Sequence, residues 1–367
     1  MKIKTFEVEK WYSKYEFSSK YNLSASGVNS LSIKNITNEN DYINLPLNYS
    51  PATGNNKLLE ILSKIYSVST SEILVTNGAI EAIFLSQMAL LNPNDKIIVL
   101  KPTYPALYQM AESLGVKVIE WKLKFEDDFK PNILDLEKLF EENNPKLLVI
   151  NFPNNPTGVN LTKLEIEKIC NLAKKYDCYL LSDEVYKGLD SQYDEYNTYK
   201  TYSKSIVISS LSKTYGLPGL RIGWIIANDK FIEECSNLRC YATLCNNNLG
   251  EFFAEKVLEN EFKYRKESLN ILSENYKILE EKLKDWKAKF NISYVKPKAG
   301  ASIFIKLENV EDTENFCVEF EKKYSILLLP GNKLGSDYKQ FVRLGFGMDT
   351  KKFKYCLDMF ENFLLEY

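Results

Sequence analysis

The stretch Ser209-Ser-Leu-Ser-Lys-Thr-Tyr-Gly-Leu-Pro-Gly-Leu-Arg-Ile-Gly-Trp224 follows a β-branched run and gathers hydroxyls, three glycines, Lys213 and Arg221 into sixteen positions. A lysine on a glycine-bounded loop, flanked by apolar groups and beside a fixed cation, has a depressed pKa and a nucleophilic amine. Such an amine condenses with an aldehyde to an imine. The same letters also describe an ordinary turn carrying one surface lysine among many. The rest of the chain decides between the two readings.

Outward from this loop, from about Ser71, short β-branched runs alternate with amphipathic stretches, the pattern of a mostly parallel sheet covered on both faces. Strands are expected at Ile73 to Thr76, Lys96 to Leu100, Val116 to Trp121, Lys146 to Asn151, Tyr179 to Ser182, Ser205 to Ser209 and Arg221 to Ala227. Helices are expected at Ile80 to Leu91 and Lys163 to Lys175, with one or two more between Leu249 and Trp286. Beyond that point the strands are separated: Ile292 to Val295, Ser302 to Lys306, Ile326 to Leu329 and Val342 to Gly345, with helices near Asp312 to Lys323 and Lys351 to Glu366. This predicts an α/β chain with a large domain over residues 46–265 built on a seven-stranded, mostly parallel sheet. A smaller α+β domain follows over 266–367, and an N-terminal segment, 1–45, packs on that domain and across the active site.

Composition narrows the function. The 367 residues are 45% hydrophobic with a formal charge of −2, which suits a compact protein with small-molecule partners and offers no basic arm for nucleic acid. The apolar runs are strand-sized and the N-terminus lacks the apolar centre of a signal peptide, so a cytoplasmic protein without membrane contact is expected. Seven cysteines without a CxxC pair read as reduced thiols with no assigned role. Histidine is absent, which removes histidine triads, histidine-bearing zinc sites and histidine acid–base work. Proton transfer must fall to lysine, tyrosine or a carboxylate. The cations are nearly all lysine, and only Arg221, Arg239, Arg265 and Arg343 depart from this. Planar, bidentate binding is the reason to keep an arginine in such a background.

Several further stretches bear chemistry. Val75-Thr-Asn-Gly-Ala-Ile-Glu-Ala82 runs from a strand into a helix, so the N–H groups of Gly78, Ala79 and Ile80 open a helix N-terminus, an anion site. Asp183 ends a buried strand, where ligands sit in open parallel sheets, although Asp is also a common cap.

Together with Asn151-Phe-Pro-Asn-Asn-Pro-Thr-Gly158 and Ser182-Asp-Glu-Val-Tyr186, the lysine loop resembles the landmarks of class I/II aminotransferases, in the same order along nearly the whole chain. The resemblance implies fold type I and pyridoxal 5'-phosphate (PLP) held by Lys213 as a Schiff base. It implies that Asp183 pairs with the pyridine nitrogen and that Asn155 and Tyr186 hydrogen-bond the phenolic oxygen. Ser210 and Arg221 resemble the phosphate-binding pair. Tyr104, in Lys101-Pro-Thr-Tyr-Pro105, resembles the aromatic stacked on the ring. Tyr49 resembles a tyrosine that reaches the neighbouring subunit's phosphate, which implies a homodimer with shared active sites. Arg343 resembles the arginine that grips the α-carboxylate of a free amino acid.

Finer likeness bears on the reaction. Trp11 to Phe17 and Leu23-Ser-Ala-Ser-Gly-Val28, with Leu238-Arg-Cys-Tyr-Ala-Thr-Leu244, resemble the capreomycidine synthase subgroup, which implies a cyclase acting on a hydroxylated arginine. Gly27 then lies at the substrate, and Glu9 and Glu16 are candidates for its guanidinium. Asn154 stands where that subgroup has His, and Thr157 where it has Ser. A hydroxyl leaving from Cβ gives a six-membered, capreomycidine-type ring, and one leaving from Cγ a five-membered, enduracididine-type ring. An ordinary aminotransferase with a 2-oxoacid co-substrate uses every cofactor residue equally well. A PLP-sensing regulator would need a nucleic-acid-binding extension or basic patch, and neither is present.

Overall fold

Leu147-Leu-Val-Ile-Asn151 is buried along its whole length, as a strand covered on both faces must be. It lies near the middle of the principal sheet of this protein, whose computed structural model describes residues 3–190 and 197–367.

In chain order, helix α1 (Glu7–Tyr15), the short strand β1 (Tyr21–Asn22) and helix α2 (Asn56–Tyr66) precede strand β2 (Ile73–Thr76) and helix α3 (Ala79–Leu90). Strand and helix then alternate through β3 (Lys96–Lys101), α4 (Ala106–Ser113), β4 (Lys117–Lys122), α5 (Ile133–Asn143), β5 (Leu147–Asn151), α6 (Lys163–Lys175) and β6 (Tyr179–Asp183). After α7 (Thr198–Thr201), strands β7 (Ser205–Ser210) and β8 (Gly223–Ile226) complete the sheet, in the order β2-β8-β7-β6-β5-β3-β4. Its pairings are parallel except those of β8, which runs antiparallel to both β7 and β2. The expected strand over Arg221 to Ala227 starts only at Gly223, because Arg221 has φ +55° and cannot continue an extended ladder.

Helix starts follow their caps. Thr162 and Glu165 form a reciprocal capping box that opens α6, and Ile166, Ile169, Cys170 and Ala173 then bury one stripe at helical spacing.

Helices α8 (Asp229–Arg239), α9 (Asn248–Leu258) and the 30-residue α10 (Glu261–Phe290) lead to strands β9 (Ile292–Tyr294) and β10 (Ser302–Leu307), then α11 (Thr313–Tyr324), β11 (Ile326–Leu327), β12 (Leu329–Pro330), β13 (Phe341–Gly345) and α12 (Thr350–Glu366). A second, antiparallel sheet has the order β12-β13-β10-β9. The single strand expected over Ile326 to Leu329 is divided. Ile326 and Leu327 pair with β1 and Leu329 pairs with β13, while the carbonyl of Leu328 between them accepts the Trp11 indole N–H at 2.9 Å. Helix α10 buries Leu272, Asn275, Leu279, Leu283 and Trp286 at three- and four-residue steps, and Trp286 meets Phe360 of α12 with ring centroids 5.1 Å apart. Truncating fully buried Leu279 to Ala would destabilise this layer by about 2–5 kcal/mol.

Candidate active site

The chemistry-bearing groups collect at one edge of the principal sheet. Strands β5, β6 and β7 end there at Asn151, Asp183 and Ser210, and the antiparallel register sets the start of β8, Gly223, opposite both Ser210 and Thr76. This carboxyl edge is where open α/β sheets bind ligands.

The anion cradle depends on two glycines. Gly78 caps α3 at φ +79°, and a Cβ there would stand 2.6 Å from Nη2 of Arg221. A Cβ at Gly223 would stand 2.6 Å from the Gly78 carbonyl carbon and 2.7 Å from the Ala79 nitrogen. The helix N-terminus therefore reaches the sheet only because both positions lack side chains. Arg221 is held by donation to the carbonyls of Pro218 at 3.0 Å and Asn77 at 3.4 Å, yet it stays exposed beside the start of α3. The Gly78 N–H, expected to face an anion, instead donates to the Thr76 carbonyl at 2.8 Å, because the positive φ of Gly78 turns the chain back on the end of β2. Ser210, buried at the end of β7, accepts from the Ser212 N–H at 3.3 Å.

Asp183 is 4% exposed, and its carboxylate accepts from the Val185 N–H at 3.2 Å. Burial, only partly offset by that bond and by Lys213, pushes its pKa up to about 7. Asn151 fastens the neighbouring loop by donating to the Asp183 carbonyl at 3.1 Å and accepting from the Asn155 N–H at 3.0 Å. Asn154 and Thr157, the two departures from the subgroup, bond to each other at 2.6 Å, and Asn154 also donates to the Pro102 carbonyl at 3.1 Å. They tie this loop to the one that carries Tyr104.

Lys213 projects into the same cleft and donates to Ser26 Oγ at 3.0 Å. Burial, with Arg343 beside it, brings the pKa down to about 8, against the opposing pull of Glu9, Asp183 and Glu16. Tyr186 is buried, and desolvation pushes its phenol up to about 12 while the Arg343 charge draws it down.

Arg343 sits on β13 with 2% exposure. Nη1 donates to Asn155 Oδ1 at 2.9 Å, Nη2 to the Tyr12 hydroxyl at 2.5 Å and to the Ser24 carbonyl at 2.8 Å, and Nε to that carbonyl at 3.2 Å. The guanidinium thus joins the Asn155 loop to two pieces of the N-terminal segment. Gly27 lies against the lysine, since a Cβ there would be 3.5 Å from Lys213 Cδ. Tyr104 donates to Glu9 Oε1 at 2.6 Å and packs on Phe6 with ring centroids 5.2 Å apart. Glu16 is exposed and accepts from Asn22 Nδ2 at 3.0 Å.

Arg343 thus meets Asn155 and lies near Lys213 and Tyr186, Lys213 lies near Asp183 and Gly27, and Arg221 meets Gly78 beside the neighbouring strand ends. Ile80, one residue further into α3, is 40% exposed, and Tyr49 is 86% exposed. Sequence reading missed Tyr12, Ser24 and Ser26 as neighbours of the site. It also left Arg239 without a place. That residue is fully buried and donates to the carbonyls of Ala52 at 2.6 Å and Val75 at 2.7 Å and to Asn246, beside Glu81 at 3.6 Å. It fixes the loop after Tyr49 to the strand that leads into the anion cradle. The signal available for it was the scarcity of arginine.

A seven-stranded sheet in this order, covered by helices and carrying its charged groups at one edge, is fold type I of the PLP-dependent enzymes. The family model for aminotransferase class I and II matches residues 27–360, and the chain belongs to that family, with PLP as its cofactor. An aspartate aminotransferase of Thermotoga maritima is 30% identical over 301 residues, 81% of this chain and 76% of that protein. Capreomycidine synthase of Streptomyces vinaceus is 25% identical over 352 residues, 92% of this chain and 88% of that protein. Among solved structures, a PLP-dependent aminotransferase from Streptococcus suis 89-1591 superposes with a TM-score of 0.93 at 31% identity, covering 100% of this chain and 99% of that one.

Proposed function

We propose that this enzyme cyclises a hydroxylated L-arginine, removing one water and joining a guanidine nitrogen to the side chain. The observation that carries the reading is the acidic mouth of the cleft. Glu9 is held 2.6 Å from the Tyr104 hydroxyl and is the carboxylate that most strongly opposes the depression of the Lys213 pKa. A side chain ending in guanidinium finds a charged partner there. The likeness to capreomycidine synthase, which spans 92% of this chain, supports the same reading.

The residues suit PLP. A phosphate dianion needs a cation and N–H donors, which Arg221, Ser210 and the Ala79 and Ile80 N–H groups at the start of α3 would offer, Gly78 serving by its lack of a side chain. A carboxylate so buried that its pKa rises to about 7 is suited to a cationic ring N–H, which would restore its charge. Tyr186 and Asn155 would donate to the phenolic oxygen, and Tyr104 would cover the ring. Bound PLP supplies an electron sink that lets a proton leave Cα and a group depart from the side chain.

The protein's own groups do the rest. Arg343, with Gly27 and Asn155 beside it, holds the α-carboxylate. Lys213, whose pKa burial and Arg343 bring down toward neutrality, takes the Cα proton as the free amine. The side-chain hydroxyl leaves as water with the proton that Lys213 took from Cα, and a guanidine nitrogen then adds to the unsaturated carbon, its released proton being balanced by the one returned to Cα through Lys213. Glu9 and Glu16 orient that guanidine.

We further propose a homodimer with shared active sites. Exposed Leu47 and Tyr49 lie shortly before Ala52, and exposed Tyr241 and Leu244 flank Thr243, two points that buried Arg239 joins. In this reading residues 46–265 form the large domain and 266–367 the small one, with α10 crossing the boundary, and residues 1–45 pack over the cleft. A second reading, an ordinary aminotransferase, draws on the 30% identity to aspartate aminotransferase. Turnover of hydroxyarginine without a 2-oxoacid is the test that separates them.

A further inference from the structure

We propose that Ser26 is a positioning residue for Lys213: its hydroxyl holds the lysine amine whenever that amine is free, and so fixes the base that takes the substrate proton. Among the described residues Ser26 Oγ is the hydrogen-bond partner of the Lys213 amine, at 3.0 Å across 187 residues of sequence. A free lysine amine swings on a four-carbon stem, and one acceptor of fixed position removes much of that freedom.

The acceptor is itself fixed. Ser26 is 7% exposed and lies on a strap, residues 23–29, laid along the end of β13. The Gly345 N–H donates to the Leu23 carbonyl at 2.7 Å, and the Asn29 N–H to the Gly347 carbonyl at 2.7 Å. The approach is so close that a Cβ at Gly345 would fall 1.8 Å from the Ala25 carbonyl oxygen, and one at Gly347 would fall 2.2 Å from that of Gly27. Arg343 grips the same strap through the Ser24 carbonyl. The Ser26 hydroxyl also draws the Tyr186 pKa down against the effect of burial. The strap that positions the substrate's carboxylate arginine therefore also positions its base.

This inference rests on Lys213 being the cofactor lysine, and one experiment separates the two. The full-length apoprotein is mixed with PLP at a series of pH values, and the growth of the visible band is followed by stopped flow in the wild type and in Ser26→Ala, Ser26→Cys and Ser26→Thr. An oxygen accepting from the amine favours its protonated form, so loss of that oxygen makes the free amine available at lower pH. The midpoint of the rate profile is expected to fall by about one to two pH units in Ser26→Ala, the effect of one hydrogen bond to a charged group. Ser26→Cys, nearly the same size and a weak acceptor, should fall with it, and Ser26→Thr should stay with the wild type. A midpoint that does not move in the alanine and cysteine variants, with a normal final band, overturns the role of Ser26. A band that still forms in Lys213→Ala overturns the assignment of the lysine itself.

Discussion

The Tyr104 hydroxyl donates to the Glu9 carboxylate at 2.6 Å, joining the loop after β3 to helix α1 across 95 residues of sequence. Tyr104 is thereby tied to the helix whose Tyr12 meets Arg343. One short helix thus touches both Tyr104 and Arg343.

Glu9→Gln keeps the shape and removes the charge. Affinity for L-arginine, read from the change it causes in the cofactor's visible spectrum, should fall about 10- to 100-fold, the worth of a charge-assisted hydrogen bond. L-norleucine, which has no cation, should bind as before. Glu16→Gln should have a smaller effect, since Glu16 is exposed and engaged by Asn22. Equal losses for both amino acids would remove Glu9 from side-chain recognition.

Arg343→Lys retains charge but loses the planar fork that spans Asn155, Tyr12 and Ser24. The visible band should form normally, while KM for any amino acid should rise about 100-fold or more. A variant that loses the band and keeps KM would place Arg343 at the cofactor instead.

How much of this was open to sequence reading depends on distance along the chain. Leu147 to Asn151 was legible as a strand because a doubly covered strand is apolar throughout. Asp183 and Asn155 were legible because their spacing to neighbouring motif residues is local. The direction of β8 was not, since four buried residues, Gly223 to Ile226, look the same in either orientation. Tyr12 and Ser26 lie 331 and 187 residues from their partners, Arg343 and Lys213, and nothing near them in sequence marks the encounter. Arg239 stood out only by its rarity, which shows that an arginine is needed but not where it reaches.

Asp183 gives the apoprotein a definite pH dependence. Its folded pKa, about 7, lies above the ordinary carboxylate value of 3.8, so the folded form binds more protons in between. Its contribution is fully present below about pH 4 and is lost as pH rises toward 7, by on the order of 4 kcal/mol. Urea unfolding of the apoprotein at pH 4.5 and 7.5 should show wild type losing stability relative to Asp183→Asn over that interval. Parallel behaviour of the two proteins would mean that the carboxylate is not desolvated.

Gly223→Ala should affect phosphate binding most directly. The added Cβ would press on the Gly78 carbonyl carbon and the Ala79 nitrogen, both backbone atoms, so the start of α3 must retreat from the sheet. Overpacking of this kind destabilises by about 1–3 kcal/mol. PLP should bind about 10-fold or more weakly by equilibrium dialysis, while pyridoxal, which has no phosphate, should be less affected. The same loss for both would point to general damage and not to the anion cradle.

The most direct test of the proposed chemistry is mass spectrometry of the holoenzyme incubated with β-hydroxyarginine or γ-hydroxyarginine, with and without a 2-oxoacid. Cyclisation predicts a product lighter by one water, formed without any oxoacid, and the hydroxyarginine consumed shows which hydroxyl leaves. Turnover only when an oxoacid is present, with amino-group transfer to that oxoacid, would contradict the cyclase reading and make the protein an aminotransferase.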